Sequence, residues 1–157
     1  MITIDNNGCY FAYRVAGVAL CQGHVLLHRS PHEEFWTLPG GRCEMREQGA
    51  DALQREMREE LNADVTVPRL LWIVENFFDY GGRNCHEIGL YFIMQFTEEP
   101  PVGWGTGDFP GREGDEELIF RWYPLDRLHE TAIYPTFLSE RLLRIPDTLE
   151  HVVHVAR

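Results

Sequence analysis

Lysine is missing from this chain of 157 residues: all fourteen basic side chains are arginine, set against 25 acidic ones for a formal charge of −11. Nucleic-acid backbones are held by clustered basic residues, and none cluster here, which argues against a stable nucleic-acid binder. Arginine forks suit phosphate oxygens, although a codon bias across a genome explains the same composition. Cysteine is scarce. Cys9, Cys21, Cys43 and Cys85 are widely spaced and contain no C-x-x-C pair, so they suggest neither a zinc knuckle nor a redox pair and read as small buried hydrophobes. Long apolar runs are lacking too. No stretch approaches the ~20 residues of a membrane span. Val15 to Cys21 is too short for a signal-peptide core, follows the acidic Asp5 and is cut by Gln22-Gly23. The expectation is one cytoplasmic domain over residues 1–157, with no membrane partner and enough apolar content, 44%, for a real core.

What the chain does have is an acidic run, Arg55-Glu56-Met57-Arg58-Glu59-Glu60-Leu61. At about 100° per residue, Ala50, Leu53, Met57 and Leu61 share one arc of a helix, while Glu56, Glu59 and Glu60 share the neighbouring arc. One helix can therefore pack and ligate at once. Two such carboxylates ~5 Å apart repel by roughly 3 kcal/mol at an effective dielectric near 20, and a divalent cation between them reverses the sign. Oxygen ligands favour Mg²⁺, or Mn²⁺, over soft metals. The plainer alternative, a solvated acidic face, costs only ~0.2–0.5 kcal/mol per like-charged pair.

Around that helix the sequence alternates β-rich runs with turns. Ala12 to Cys21 and His24 to His28 predict a hairpin about Gln22-Gly23. Phe35 to Leu38 predicts a short strand, Pro39-Gly40-Gly41 a turn, and Gln48 to Leu61 the helix. Val65 to Phe78 and Cys85 to Phe96 predict a second antiparallel pair joined at Gly81-Gly82, with Pro68 near a strand start or on an edge. Glu98 to Asp115, rich in Gly and Pro, predicts a long surface loop; Leu118 to Tyr123 a strand; Pro124 to Leu128 a helical turn; Tyr134 to Leu143 a helix. Strands with interspersed helices predict an α+β fold, a mixed sheet sandwiched between helices.

The wider pattern discriminates. From Gly41 the chain runs through Glu47 to Arg55-Glu56-Met57, Glu59-Glu60 and Asn62-Ala63. This resembles the Nudix box, the signature of the Nudix hydrolase family. Six fixed positions at ordinary residue frequencies coincide by chance roughly once in ten million windows. Trp36-Thr37-Leu38-Pro39-Gly40-Gly41 and Trp122-Tyr123-Pro124-Leu125-Asp126 are similar to the family's flanking segments. Asn62 replaces the usual Gly, a mild departure because Asn is the next best residue for a left-handed helix end.

The resemblance implies an α/β/α sandwich with a catalytic loop-helix-loop, and Mg²⁺-dependent hydrolysis of a nucleoside diphosphate linked to another moiety X. It implies Glu59 and Glu60 as metal ligands, Glu56 as ligand or water-activating base, and Gly41 beside the metal. Glu47 and Arg55 would brace the loop against the helix, and a further acid before the late strand, Glu116 with Glu117 as rival, would assist. Arg14 and Arg29 could meet phosphate oxygens. Trp36 and Trp104 could stack on a base, Trp104 being the less buried. Phe77 and Phe78 could stack likewise, although such aromatics at least as often belong to the core, and the His86-Glu87 pair reads more simply as a structural hydrogen bond. A homodimer is plausible by the same analogy. Two alternatives are a Nudix-like sensor that binds a nucleotide without cleaving it, and an isopentenyl-diphosphate isomerase, of which Asn84-Cys85-His86 is a faint echo.

Overall fold

Strand-forming residues dominate the architecture, in keeping with their density in the sequence. The computed structural model describes residues 1–105 and 107–156. In chain order they form β1 (Thr3–Asn6), β2 (Cys9–Val18), β3 (Leu20–Cys21), β4 (His24–Arg29), β5 (Trp36–Thr37) and β6 (Gly40–Arg42). Helix α1 (Gly49–Leu61), β7 (Val65–Tyr80), β8 (Arg83–Phe96), β9 (Phe109–Glu113) and β10 (Glu116–Pro124) follow. A 3₁₀ turn (Leu125–Glu130), β11 (Ile133–Tyr134), a short helix α2 (Leu138–Arg141) and β12 (Glu150–Val155) complete the chain.

The fold is the expected α+β sandwich, its strands gathered into two mixed sheets. One has the order β1-β2-β8-β7-β12, with β6 added beside β2; the other has the order β11-β5-β4-β10-β9, with β3 beside β4. The pairs β2·β8 and β7·β12 are parallel, and the long β7·β8 hairpin is antiparallel. That hairpin turns at Gly81-Gly82, whose φ values of 59° and 77° are the left-handed pair a two-residue turn requires. Pro68, which has no N–H to donate, falls at a register shift between Thr66 and Arg69.

Helix α1 buries Ala52, Leu53 and Met57 against Val15, Leu26, Phe92 and Phe120 from both sheets. A second cluster, including Trp36, Trp72, Leu128 and Leu138, lies under the 3₁₀ turn and α2. The helix ends on Asn62 at φ 52°, ψ 41°, where the N–H groups of Asn62 and Ala63 close on the carbonyls of Arg58 and Met57. Among the described residues, no helix is long and apolar enough to cross a membrane.

Several local expectations differ. The segment Glu98 to Asp115 is not all loop: β9 lies within it, with Phe109 and Gly111 buried and both facing α1; Thr106, in the same segment, lies outside the described residues. Gly40 and Gly41 form a strand on β2 rather than a turn. Tyr134 to Leu143 is not one helix, because Pro135 lacks an amide donor and restricts Tyr134 to extended backbone; β11 and the four-residue α2 share that stretch. β1 and β12, at the two edges of the first sheet, carry no strong apolar alternation and escaped the sequence reading.

Candidate active site

Two glycines admit the acidic helix to the sheet. A Cβ on Gly40 would overlap the Val15 carbonyl, so β6 can lie on β2 only with glycine there. A Cβ on Gly41 would occupy the space of the Glu56 carboxylate. The backbone at Gly41 is therefore a cradle for Glu56, and any side chain would displace it.

Arg55 organises the near side. Its Nε donates to Glu47 Oε2 at 2.8 Å and one terminal nitrogen to Glu47 Oε1 at 3.0 Å, a bidentate fork. The same nitrogen reaches the Arg42 carbonyl at 3.1 Å, and the other reaches Glu56 at 3.0 Å and Glu59 at 3.3 Å. Glu47 also accepts the Glu44 N–H at 3.0 Å. These bonds hold the Glu47 carboxyl below the usual carboxylate range, with the Arg55 hydrogen bonds as the main cause, and push the Arg55 guanidinium further up. Loop and helix are thus tied by one residue pair.

On the far side charge is left uncompensated. Glu60 is only 4% exposed, and neither carboxylate oxygen has a hydrogen-bond partner. Among the described residues the nearest basic side chain is His28, whose Nδ1 lies 3.9 Å from Oε2 and is itself buried with no hydrogen-bond partner there. Burial, then the charges of Glu56 and Glu113, push the Glu60 carboxyl up to about 9. Burial also pushes Glu56 up, against the pull of Arg55. His28 is pushed down to about 3 by burial and by Arg14, so it is neutral and gives Glu60 no counter-charge. Two orphaned oxygens in an acidic pocket match the hard, oxygen-rich donor set of a divalent cation. Among the described residues no three His, Cys, Asp or Glu side chains are already gathered around one point, and Glu56 and Glu59 are both drawn onto Arg55.

The remaining candidates scatter. Glu116 sits directly across from Glu113 in the β9·β10 hairpin, yet its charge bears on Tyr80, whereas that of Glu113 bears on both Glu56 and Glu60. Glu113 is the acid that sequence reasoning missed. The alternation Phe109, Gly111, Glu113 was its only signal, hidden in a Gly-rich segment; Gly111 on the same face approaches the Glu60 carbonyl. Arg14 lies near the centre, 3.7 Å from Glu87, and its charge reaches Glu60 and His28. Arg29 bonds the Glu33 carbonyl at 2.9 Å and covers Trp36, which is 5% exposed and also covered by Arg121, so the ring offers no free face. Half-buried Trp104 borders a recess of about 150 Å³ with His24 and Trp122. That recess is at the opposite end of β4 from His28, roughly 13 Å away at strand spacing.

Cradle, clamp and buried acids together define a Nudix loop-helix-loop. The sequence profile of the NUDIX domain matches residues 12–140, and the chain belongs to this family. The Bacillus subtilis (strain 168) protein YjhB, provisionally named an ADP-ribose pyrophosphatase, is 36% identical over 114 residues, which cover 73% of this chain and 50% of that protein. The chain thus spans about half the length of that relative. Solved structures share the fold. An ADP-ribose pyrophosphatase from Streptococcus suis 89-1591 superposes with a TM-score of 0.60 at 17% identity, covering 90% of this chain and 98% of its own. A MutT NUDIX hydrolase from Burkholderia pseudomallei gives 0.59 at 24% identity, covering 82% and 95%.

Proposed function

We propose that this Nudix chain is a Mg²⁺-dependent pyrophosphohydrolase, with Mn²⁺ able to substitute, acting on small nucleoside diphosphates linked to a moiety X. The observation that carries the reading is Glu60, buried with both oxygens orphaned among Glu56, Glu59 and Glu113. Glu59, Glu60 and Glu56, with the Gly41 backbone beside them, would hold the cation. When bound, it supplies neutralisation of the anhydride oxygens, so that water can approach phosphorus. Water's oxygen then bonds to phosphorus, the bridging P–O bond breaks, and two phosphate monoesters leave. Arg14 holds a phosphate oxygen. Glu56 or Glu113 takes the water's proton, and Glu47 with Arg55 keeps the loop in place. The name of the B. subtilis relative makes ADP-ribose the first substrate to try. We read the protein as cytoplasmic, free of nucleic acid, a single domain and capable of homodimerisation.

A nucleotide panel incubated with Mg²⁺ tests this, with products identified by mass. Turnover of ADP-ribose or a related diphosphate, lost in Glu59→Gln, supports the reading. Nucleotides bound but recovered intact after long incubation would favour a sensor instead.

A further inference from the structure

Two aromatic rings each carry a pair of guanidiniums, and the pairs are treated differently. Arg29 and Arg121 lie 5.2 and 5.0 Å from the centre of Trp36. There Arg121 is closed off by a bidentate Asp108, one bond of which measures 3.0 Å, and Arg29 is tied to backbone carbonyls. The second ring is Tyr10, with Arg42 and Arg83 both 5.5 Å from its centre. Here compensation is poor. Arg83 has Asp5 at a loose 3.8 Å, and Arg42 has no carboxylate within ion-pair distance among the described residues: it bonds the Met1 thioether at 3.2 Å, a weak acceptor, and its charge reaches Glu87 only from further off. Two like charges held on one half-buried ring repel, and an anion between them relieves the repulsion.

The position makes this more than a surface accident. Arg42 is the register partner of Arg14, and Tyr10 lies on the same face of β2 as Arg14. Three guanidiniums thus share one sheet face with two acids, Glu87 and Asp5, leaving a positive excess in a chain of charge −11. The Arg42 carbonyl binds Arg55, and the adjacent Gly41 cradles Glu56. From Arg14 to Tyr10 is roughly 13 Å of strand, and arginine side chains reach back along it.

We propose that Tyr10, Arg42 and Arg83 form a subsite for a second anionic group, a phosphate or a carboxylate, carried by X. This rests on the reading of the site as one for nucleoside diphosphate derivatives. Tyr10 pre-organises the two forks, and the forks select an oxyanion beyond the scissile anhydride.

The test compares matched ligands by calorimetry without metal, so that binding is read apart from turnover. One pair is ADP-ribose and its 1″-phosphate, which carries the extra charge on the distal ribose; the other is UDP-glucose and UDP-glucuronate. The wild-type protein should bind the charged member of at least one pair about tenfold more tightly, and which pair responds distinguishes phosphate from carboxylate. Arg42→Gln/Arg83→Gln should erase the preference while leaving the uncharged-X member unaffected, and Arg83→Gln alone should halve it if the double variant is unstable. No preference in the wild type, a preference that survives both substitutions, or no binding of either pair overturns the subsite. Preference without any hydrolysis when Mg²⁺ is added would overturn the proposed reaction and leave the subsite standing.

Discussion

Glu47 and Glu60 belong to one motif and have opposite surroundings. Glu47 meets every demand of its charge, with two bonds from Arg55 and one from the Glu44 amide, and its carboxyl is held low. Glu60 is more deeply buried, has no hydrogen-bond partner among the described residues and is pushed up to about 9. A protein gains stability from the first arrangement and loses it to the second. The contrast separates a brace, which the chain completes by itself, from the position that the proposed reading gives to the cation, whose oxygens have no hydrogen-bond partner among the described residues.

The largest expected effect comes from Glu60→Gln. Turnover should fall on the order of 10³-fold, while the metal-free protein becomes more heat-stable because a buried acid is gone. Loss of both activity and stability would place Glu60 with Glu47, as part of the scaffold. Glu47→Gln should do the reverse in kind: a loss of about 1–3 kcal/mol by urea denaturation, with activity reduced only ~10–100-fold because the catalytic carboxylates remain.

Stability against pH sharpens the same contrast. Glu60 is raised from an ordinary 4.5 to about 9 when folded, so its contribution is fully present below 4.5 and is lost as pH rises through about 9. Glu47 is lowered, so its contribution is present above 4.5 and lost as pH falls through the depressed value. Metal-free melting curves should therefore decline on the alkaline side, less so in Glu60→Gln; the residual slope is shared by the other raised groups, the carboxyls of Glu56 and Glu87 and the thiols of Cys43 and Cys85 among them. Glu47→Gln should flatten the acid limb, with the remainder there shared by the lowered histidines His28 and His154 and the lowered acids Asp108 and Glu130. The smallest effect is at the helix end. Asn62 sits at φ 52°, so Asn62→Gly should stabilise by about 0.5 kcal/mol with activity unchanged.

The helix, the β7·β8 hairpin and the left-handed Asn62 were legible because periodicity, paired glycines and capping are local; the expected hairpin about Gln22-Gly23 is kept only by Leu20–Cys21, because the chain breaks after Val18 and β2 joins the first sheet while β4 joins the second. So was the pairing of Glu47 with Arg55, since both lie in one contiguous motif. What could not be read depends on contacts far apart in the chain. Glu113 acquires its place only when β9 folds onto α1, and His28 becomes a neighbour of Glu60 only when β4 joins the second sheet. Trp36 looked available for stacking because nothing near it in sequence reveals that Arg121 covers it. Arg42 and Arg83 meet over Tyr10 through three strands, and no spacing in the sequence encodes that.

The most direct test is titration calorimetry of the metal-free protein with Mg²⁺ and Mn²⁺ at pH 7, repeated in buffers of different ionisation enthalpy. Glu60 is protonated at that pH when no cation is bound, so binding should release about one proton from the wild type and none from Glu60→Gln. Cation binding without proton release, or no binding with or without nucleotide, would contradict the assignment of Glu60 as the incomplete ligand at the centre of the site.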